Sequence, residues 1–339
     1  MIKLGIGTTG RCNMNCRHCY SRQYNNFSLS LTDIKRIANS IEIESVNFGT
    51  GENILNGEFL QIVKYLHERN IDLSLTANGY SILNMSDDFI KMFHDVDFSL
   101  EFPTRELQNG YRGHNSWEMV CAGMKRCKAL GIPFSIATVL MRSNSEHIVE
   151  FYDLIKEYDC FLRINIIKCN SSNKDENLMN ELSYDLFWQS IKNIFKKFKL
   201  VSCSEPILKA ALKLNSGIGV PCGKSSIRIQ PDGSLLPCVY WGYSEQRIED
   251  LEQNGEKVLL SPEFIASQIV PDACRGCEYV TLCGGGCASR RKLDKGLNNP
   301  DPFCPMARGE KFPEITYTLN KNQVDLIHSS YLCTIILSN

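Results

Sequence analysis

The chain has 339 residues, of which 43% are hydrophobic and 22% charged, and this composition predicts a globular protein with one large domain and a smaller second one. A net charge of −1 gives no sign of a nucleic-acid or membrane partner. No apolar run reaches about 18 residues and the start lacks a signal peptide, so we expect a cytoplasmic protein. In such a chain, 16 cysteines predict reduced thiols that bind metal rather than disulfides.

Strands and helices alternate from residue 2 to about residue 200. Short β-rich runs predict strands at residues 2–8, 44–50, 71–77, 96–102, 132–140 and 161–167. Apolar residues at helical spacing predict helices at residues 30–41, 58–70, 87–95, 117–131 and 146–158. This repetition predicts an α/β fold, a partial (β/α)6 TIM-like barrel, with ligands bound at the carboxyl ends of the strands.

The character of the sequence changes near residue 200. After a predicted helix at residues 184–199, the chain becomes rich in Gly, Pro and Cys, and Pro231-Asp232-Gly233 predicts the turn of a hairpin. Seven cysteines between Cys222 and Cys304, with little apolar periodicity, indicate a small, irregular domain folded around metal. We therefore predict domains at residues 1–200 and 201–310, followed by a C-terminal tail at residues 311–339.

Three cysteines follow directly after the first predicted strand, at Cys12, Cys16 and Cys19. They are expected on a loop at the carboxyl edge of the sheet, where an active site would lie. Their spacing alone fits a zinc site completed by His18 or Cys169, or a [4Fe–4S] cluster with one iron left open.

The segment "CNMNCRHCY" (12–20) resembles the signature of radical S-adenosylmethionine (SAM) enzymes. Four later segments resemble, in family order, elements that contact SAM: "FGTGEN" (48–53), "TANGY" (76–80), "FSLEFPT" (98–104) and "YRG" (111–113). The sequence departs from the family at Thr50, where glycine is usual, at Glu101, which replaces Asp, and at Phe102, which replaces Gly. The resemblance implies that the three cysteines are the catalytic, cluster-binding set. It implies contacts with SAM from Tyr20, Thr50, Gly51, Glu52, Asn78, Ser99, Glu101, Arg112 and Leu140.

The family resemblance also implies the chemistry. An external reductant of flavodoxin or ferredoxin type reduces the cluster, which cleaves SAM to methionine and a 5′-deoxyadenosyl radical that abstracts hydrogen from a carbon. Because this radical attacks almost any molecule, the site must be enclosed and the substrate held close. Arg112 is the candidate for a salt bridge to the SAM carboxylate.

The C-terminal cysteines read Cys222-x15-Cys238, then Cys274-x2-Cys277-x5-Cys283-x3-Cys287-x16-Cys304. On spacing alone, two zinc ribbons are the alternative. The array resembles the SPASM domain of radical SAM enzymes, which holds two auxiliary [4Fe–4S] clusters. The resemblance assigns Cys222, Cys238 and Cys287 to a nearer cluster, and Cys274, Cys277, Cys283 and Cys304 to a farther cluster. The nearer cluster is then one thiolate short, which Cys203 is predicted to supply; otherwise one iron binds substrate or water.

The remaining cysteines are not needed for metal. Cys121 and Cys127 lie on a predicted helix and are expected to pack in the core. Cys160, Cys169 and Cys333 receive no predicted role.

The catalytic base is not obvious from the sequence. SPASM sulfatase-maturing enzymes carry an Asp directly after the cysteine that corresponds to Cys238, and this chain has Val239 there. Sulfatase maturation is accordingly disfavoured. Glu101, Tyr240 and the strand at residues 161–168 are the places to seek a base.

The sequence, including "CGGGCASRRKL" (283–293), is similar to a subgroup that matures ribosomal precursor peptides with nitrile-hydratase-like or nitrogenase-associated leaders. That subgroup includes spliceases, which excise a tyramine unit at a Tyr-Gly site, and this reaction is the favoured expectation. Thioether or carbon–carbon cross-linking, peptide epimerisation, an aminoglycoside-type dehydrogenase or epimerase, and a non-catalytic iron–sulfur electron carrier stay open. Because the chain begins at the first strand, we expect either a separate leader-binding protein or direct binding of the peptide.

Overall fold

An eleven-stranded sheet organises the computed structural model, which describes residues 1–168, 180–214, 222–321, 326 and 333–339. The strands are β1 Ile2–Ile6, β2 Ile43–Phe48, β3 Asp72–Ala77, β4 Asp95–Ser99, β5 Phe134–Leu140, β6 Phe161–Ile166, β7 Lys199–Cys203, β8 Ser226–Ile229, β9 Leu235–Leu236, β10 Thr318–Leu319 and β11 Thr334–Ser338. Their order in the sheet is β10-β7-β11-β6-β5-β4-β3-β2-β1-β8-β9.

The first six strands pair in parallel, each with its successor in the chain. Strand β8 pairs in parallel with β1, and β11 pairs antiparallel with both β6 and β7. Strands β4 and β5 are buried along almost their whole length, as expected for parallel strands covered on both faces. The carboxyl ends of β1 to β8 therefore meet at one edge of the sheet, and β11 begins at that edge.

Helices follow most of the parallel strands. They are α1 Leu31–Ser40, α2 Phe59–His67, α3 Tyr80–Leu83, α4 Asp87–Ile90, α5 Arg105–Arg112, α6 Ser116–Leu130, α7 Phe151–Tyr158, α8 Tyr184–Lys197, α9 Pro206–Ala211, α10 Ile248–Asn254, α11 Pro262–Ser267, α12 Val280–Cys283 and α13 Ala288–Asp294. Helix α1 begins at a capping box, in which Ser30 and Asp33 satisfy each other's backbone N–H groups. Helix α6 ends at Gly131, whose φ of 71° suits the left-handed C-terminal cap.

The alternation of strands and helices predicted for residues 2–200 is confirmed. All six predicted strands are present, with ends that differ by a few residues, and the α/β architecture is parallel as expected. The predicted helix at residues 87–95 is shorter, because β4 begins at Asp95. The hairpin is also confirmed: β8 and β9 are antiparallel, and the Gly233 N–H donates to the Gln230 carbonyl across the turn.

The predicted C-terminal tail contributes two strands to the sheet. Strand β11 lies inside the sheet, with Ile335, Ile336 and Leu337 fully buried, and β10 pairs with β7 at the edge. This role was not predicted from the sequence, because pairing between strands so distant in the chain leaves no local pattern. Among the described residues, no helix has the length and apolarity needed to cross a membrane.

Burial of β11 predicts that its side chains stabilise the fold. Replacing Ile336 with Ala should lower the free energy of unfolding by about 2–5 kcal/mol, because a buried side chain leaves a cavity. The measurement is urea unfolding followed by circular dichroism. Ile265→Ala is the matched control: Ile265 is 55% exposed on α11, and its replacement should change the free energy by less than about 0.5 kcal/mol. Equal effects of the two substitutions would contradict the burial of β11.

Candidate active site

A cavity of about 240 Å³ lies at the carboxyl edge of the sheet. Its wall includes the residues that follow β1 to β4, the ends of β5, β6 and β8, and the residue before β11. Two groups of cysteines meet across it, namely Cys12, Cys16 and Cys19 on one side and Cys222, Cys238 and Cys333 on the other.

The N-terminal cysteine loop follows β1 and is held by backbone contacts. Gly51 has a φ of 68°, and a Cβ there would lie 2.3 Å from the carbonyl oxygen of Thr9, so only glycine fits. The Glu52 N–H donates to the Arg11 carbonyl at 2.8 Å, and the Arg22 guanidinium donates to the Cys16 carbonyl at 2.6 Å. The predicted Gly-Glu element therefore fixes the position of the cysteine loop.

The buried Glu52 carboxylate links the loops after β2 and β3. It accepts hydrogen bonds from the backbone N–H groups of Asn78, at 3.0 Å, and Ser81, at 2.7 Å. Burial raises the pKa of Glu52, and these hydrogen bonds oppose the shift. The Asn78 amide in turn donates to Cys12 Sγ at 3.6 Å, so Glu52 orients a residue that contacts the cysteine loop.

Glu101 forms a buried polar network with Arg112 and His18. Its carboxylate pairs with the Arg112 guanidinium and lies 3.3 Å from His18 Nε2. Burial alone would raise the pKa of Glu101, but Arg112 and His18 lower it to about 2. Glu101 is therefore a firmly ionised partner of Arg112, which makes it a weak base and argues against the predicted base role.

Aromatic residues and a lysine form the wall between the two cysteine groups. The Tyr20 hydroxyl donates to the Gly49 carbonyl at 3.3 Å and lies 3.3 Å from Thr50 Oγ1. The rings of Tyr20 and Tyr240 are 5.3 Å apart, and Lys168 Nζ lies 5.0 Å from the Tyr240 ring centroid. Burial raises the pKa of Tyr240 to about 12, so its phenol is neutral at ordinary pH and a poor base.

The structure brings nearly all the predicted SAM-contacting residues to the cavity wall; these are Tyr20, Thr50, Gly51, Glu52, Asn78, Ser99, Glu101 and Arg112. Leu140 is the exception. Its side chain is fully buried in the hydrophobic core at the end of β5, and the cavity wall there is formed by Ala137, Thr138 and Val139. A role for Leu140 at the cavity is not supported, because core packing already occupies its side chain.

The cavity wall fits a polar ligand. Thr138 Oγ1 and Gln230 Oε1 are buried in this wall, and neither has a hydrogen-bond partner in the described parts of the chain. Buried polar atoms are nearly always paired, so a ligand in the cavity would satisfy them. The sequence gives no signal for a binding role of either residue. Thr138 lies within β5 and Gln230 in the hairpin after β8, and neither belongs to a recognisable motif.

The cysteines predicted for the farther cluster converge as a group. Cys274, Cys277, Cys283 and Cys304 line a second cavity of about 370 Å³. Burial raises the pKa of Cys283 to about 11. A bound metal displaces such thiol protons, so this donor set fits an iron–sulfur cluster, which takes thiolate ligands.

The cysteines predicted for the nearer cluster also converge, with a different fourth member. Cys222 hydrogen-bonds Cys238, which lowers the pKa of Cys238 to about 7. Cys222 and Cys287 are buried together with Cys333. Cys203 was predicted to join this group, but it lies apart in β7, where its thiol donates to the Glu205 carbonyl at 3.8 Å. The reason is its place in β7, opposite Ile335 of β11, which sequence spacing does not reveal.

The zinc alternatives gain no support from the geometry. Within residues 1–168, 180–214 and 222–321 and the short C-terminal pieces, no three His, Cys, Asp or Glu side chains are placed to hold a single metal ion. A [4Fe–4S] cluster binds its thiolates to different irons, so it does not require them to converge on one point. His18 pairs with Glu101, and Cys169 lies outside the described residues.

Comparison with known proteins shows which proteins the chain is similar to. Residues 6–155 match the sequence model of the Radical SAM superfamily. The chain is 25% identical to a cysteine-type anaerobic sulfatase-maturating enzyme of Clostridium novyi, over 87% of this chain and 90% of that protein. It is 23% identical to the mycofactocin maturase MftC of Mycolicibacterium smegmatis, over 87% of this chain and 80% of that protein.

Solved structures show the same fold. Histidine-tagged anSMEcpe with bound AdoMet has a TM-score of 0.70 and 20% identity, and the match covers 91% of each chain. Streptococcus suis SuiB has a TM-score of 0.68 and 17% identity, with 89% of this chain and 77% of SuiB covered. At these identities the likeness concerns the fold alone.

The Glu101 network predicts a pH-dependent contribution to stability. The folded pKa of about 2 lies below the ordinary value of 4.5, so the pairing stabilises the protein above pH 4.5 and is lost as the pH falls towards 2. Replacing Glu101 with Gln leaves Arg112 buried without its anion and should lower the free energy of unfolding by about 3–5 kcal/mol at pH 7. The difference from the wild type should shrink as the pH falls from about 5 to about 3. Urea unfolding at stepped pH measures both effects.

The control for this experiment is Glu118→Gln, which removes a surface partner of Arg105. Exposed ion pairs contribute little, so this variant should behave like the wild type at every pH. A Glu101→Gln variant as stable as Glu118→Gln at pH 7 would contradict a stabilising role for the network.

Proposed function

From the radical SAM domain at residues 6–155, we propose that this protein is a radical SAM maturase of a ribosomally made peptide. Cys12, Cys16 and Cys19 would hold a [4Fe–4S] cluster, and the C-terminal cysteines would hold two auxiliary iron–sulfur clusters in a SPASM-type domain. When bound, the first cluster supplies the electron that cleaves SAM to methionine and a 5′-deoxyadenosyl radical. The proposed domain bounds are residues 1–200 and 201–310, with β7 crossing this boundary and β8 paired with β1 in the same sheet.

One observation carries the proposal: a single cavity has in its wall the three cysteines of the family signature and all but one of the residues predicted to contact SAM. These residues lie at the ends of four separate strands or in the segments that follow them. Only parallel strands that end at one edge bring such loops together, as a site for one ligand requires. The unpaired Thr138 and Gln230 oxygens add hydrogen-bonding capacity for that ligand.

The chain's own residues would bind and orient SAM in this cavity. Asn78, held by Glu52, contacts Cys12, and Thr50 contacts the hydroxyl of Tyr20 at the end of the cysteine loop. The Arg112 guanidinium pairs with Glu101 and still has other N–H donors. Arg112 can therefore bind the SAM carboxylate while it stays paired with Glu101. The apolar wall at Val139 and Val239 would help to exclude water from a reactive radical.

A peptide substrate is supported by the functions of the relatives. MftC is named a mycofactocin maturase, another relative is a sulfatase-maturating enzyme, and SuiB has been solved with its precursor peptide SuiA. Sulfatase maturation itself is disfavoured, because the residue after Cys238 in the cavity wall is Val239, which cannot act as a base. We therefore propose a peptide other than a sulfatase as the substrate.

Excision of tyramine at a Tyr-Gly site is the subtype that we propose, on the strength of the sequence resemblance to spliceases. That reaction would make the enzyme a lyase, whereas thioether or carbon–carbon cross-linking would make it an oxidoreductase. An external reductant of flavodoxin or ferredoxin type would supply electrons. A cytoplasmic location stays a prediction from the sequence.

The cysteine loop should be required for SAM cleavage. Replacing Cys16 with Ala should reduce 5′-deoxyadenosine formation by the reduced, reconstituted protein to the background level and remove about four irons per chain. Liquid chromatography and iron analysis measure these quantities. Cys121→Ala, in α6 and away from the cavity, is the matched control and should leave both unchanged. Wild-type cleavage by Cys16→Ala would refute the assignment of this cysteine loop.

The proposed substrate is a peptide that contains a Tyr-Gly pair. A synthetic precursor peptide with one Tyr-Gly pair, incubated with SAM and a reductant, should lose one tyramine unit in mass. A peptide with Ala-Ala at that position is the control and should stay unchanged. Loss of two hydrogens instead would favour cross-linking over excision. No change in mass, with or without an added leader-binding protein, would count against a peptide substrate of this type.

A further inference from the structure

The nearer group of C-terminal cysteines has a fourth member that the sequence pattern does not include. Cys333 lies 111 positions after Cys222, yet the two Sγ atoms are 3.7 Å apart. Cys333 also hydrogen-bonds Cys287, and Cys238 hydrogen-bonds Cys222. Cys222, Cys238, Cys287 and Cys333 thus form one continuous set of thiols, which we call the four-thiol group.

Three members of the four-thiol group are buried, and the fourth, Cys238, is half-buried. The exposed fraction is 2% for Cys287 and 8% for both Cys222 and Cys333. Cys333 also lies in the wall of the active-site cavity, together with Cys222 and Cys238. Neighbouring thiols that are mostly buried and face a cavity are a typical arrangement for a metal or cluster.

The position of Cys333 follows from the direction of β11. Because β11 runs antiparallel to β6, its first residue lies at the carboxyl edge of the sheet, where the parallel strands place the cavity. Thr334, the neighbour of Cys333, is paired with Asn165 and bonded on both sides: its hydroxyl donates to the Ile164 carbonyl at 3.0 Å, and its carbonyl accepts from the Ser204 N–H at 2.9 Å. The backbone of Cys333 is therefore anchored between two strands.

The neighbouring cysteine in the same region does not compete for this role. Cys203 is paired with Ile335 across the β7–β11 ladder, and its thiol donates to the Glu205 carbonyl. Cys203 is absent from the buried cluster that Cys222, Cys287 and Cys333 form, so Cys333 is the thiol that completes the group.

We propose that Cys333 is the fourth protein ligand of the nearer auxiliary iron–sulfur cluster. This inference rests on the proposed function, which supplies the cluster. With four thiolates, every iron of that cluster has a protein ligand, so the cluster transfers electrons and does not bind the peptide directly. The C-terminal strand is then part of the active-site machinery.

The test uses full-length, anaerobically reconstituted protein in a background with Cys12, Cys16 and Cys19 replaced by Ala, which leaves only the auxiliary clusters. Iron, zinc and acid-labile sulfide are measured, together with Mössbauer and electron paramagnetic resonance spectra. Three variants are compared in this background: Cys333→Ser, Cys203→Ser as the matched control in the adjacent strand, and Cys222→Ala. Serine preserves the size of the side chain, so the fold is retained, and circular dichroism checks it.

We expect Cys333→Ser to change the spectrum of one cluster, with one iron distinguishable from the rest and accessible to added imidazole. Cys203→Ser should match the background protein, and imidazole should leave the background spectrum unchanged. A Cys333→Ser spectrum identical to the background would overturn the inference, while iron loss in Cys222→Ala would still uphold the auxiliary cluster. Zinc without sulfide at this site, or no iron loss in Cys222→Ala, would overturn the cluster assignment and the inference together.

Discussion

The parallel alignment of β1 to β8 is the constraint on which the rest of the structure depends. Backbone hydrogen bonds between parallel strands fix which ends meet, so the loops after β1, β2, β3 and β4 all reach one edge of the sheet. Strands buried on both faces cannot shift register without exposing apolar side chains or burying polar ones. The loops that carry the cysteines and the residues predicted to contact SAM therefore converge at this edge.

Within that edge, close backbone contact sets the finer geometry. Gly51 allows the loop after β2 to touch the cysteine loop, and Glu52 then reaches across to the loop after β3. A larger residue at position 51 would collide with the Thr9 carbonyl, and an apolar side chain at position 52 would leave two buried N–H groups without their acceptor. The residues that resemble a SAM-binding motif thus also hold the loops together.

Charged groups lie in two separate parts of the cavity wall. The Glu101 and Arg112 pair is ionised and buried at one end, whereas Lys168 and Tyr240 lie between the two cysteine groups. A buried pair of opposite charges costs desolvation energy, which is offset only when the geometry and hydrogen bonds are good. Glu101 in place of the usual Asp has a longer side chain, and both of its oxygens reach Arg112. The network with Arg112 therefore accommodates glutamate at position 101, where the family usually has aspartate.

The sequence alone determined the elements that depend on neighbours in the chain. The alternating strands and helices, the hairpin at Gly233, the cysteine loop at residues 12–19 and most of the cavity-lining residues follow from local periodicity, turn chemistry and short motifs. Only the tertiary structure decided that β11 enters the sheet, that Leu140 belongs to the core, and that Cys333 rather than Cys203 joins Cys222. The physical reason is that strand pairing and thiol convergence join residues more than a hundred positions apart, and no local pattern records which distant partner a residue will contact.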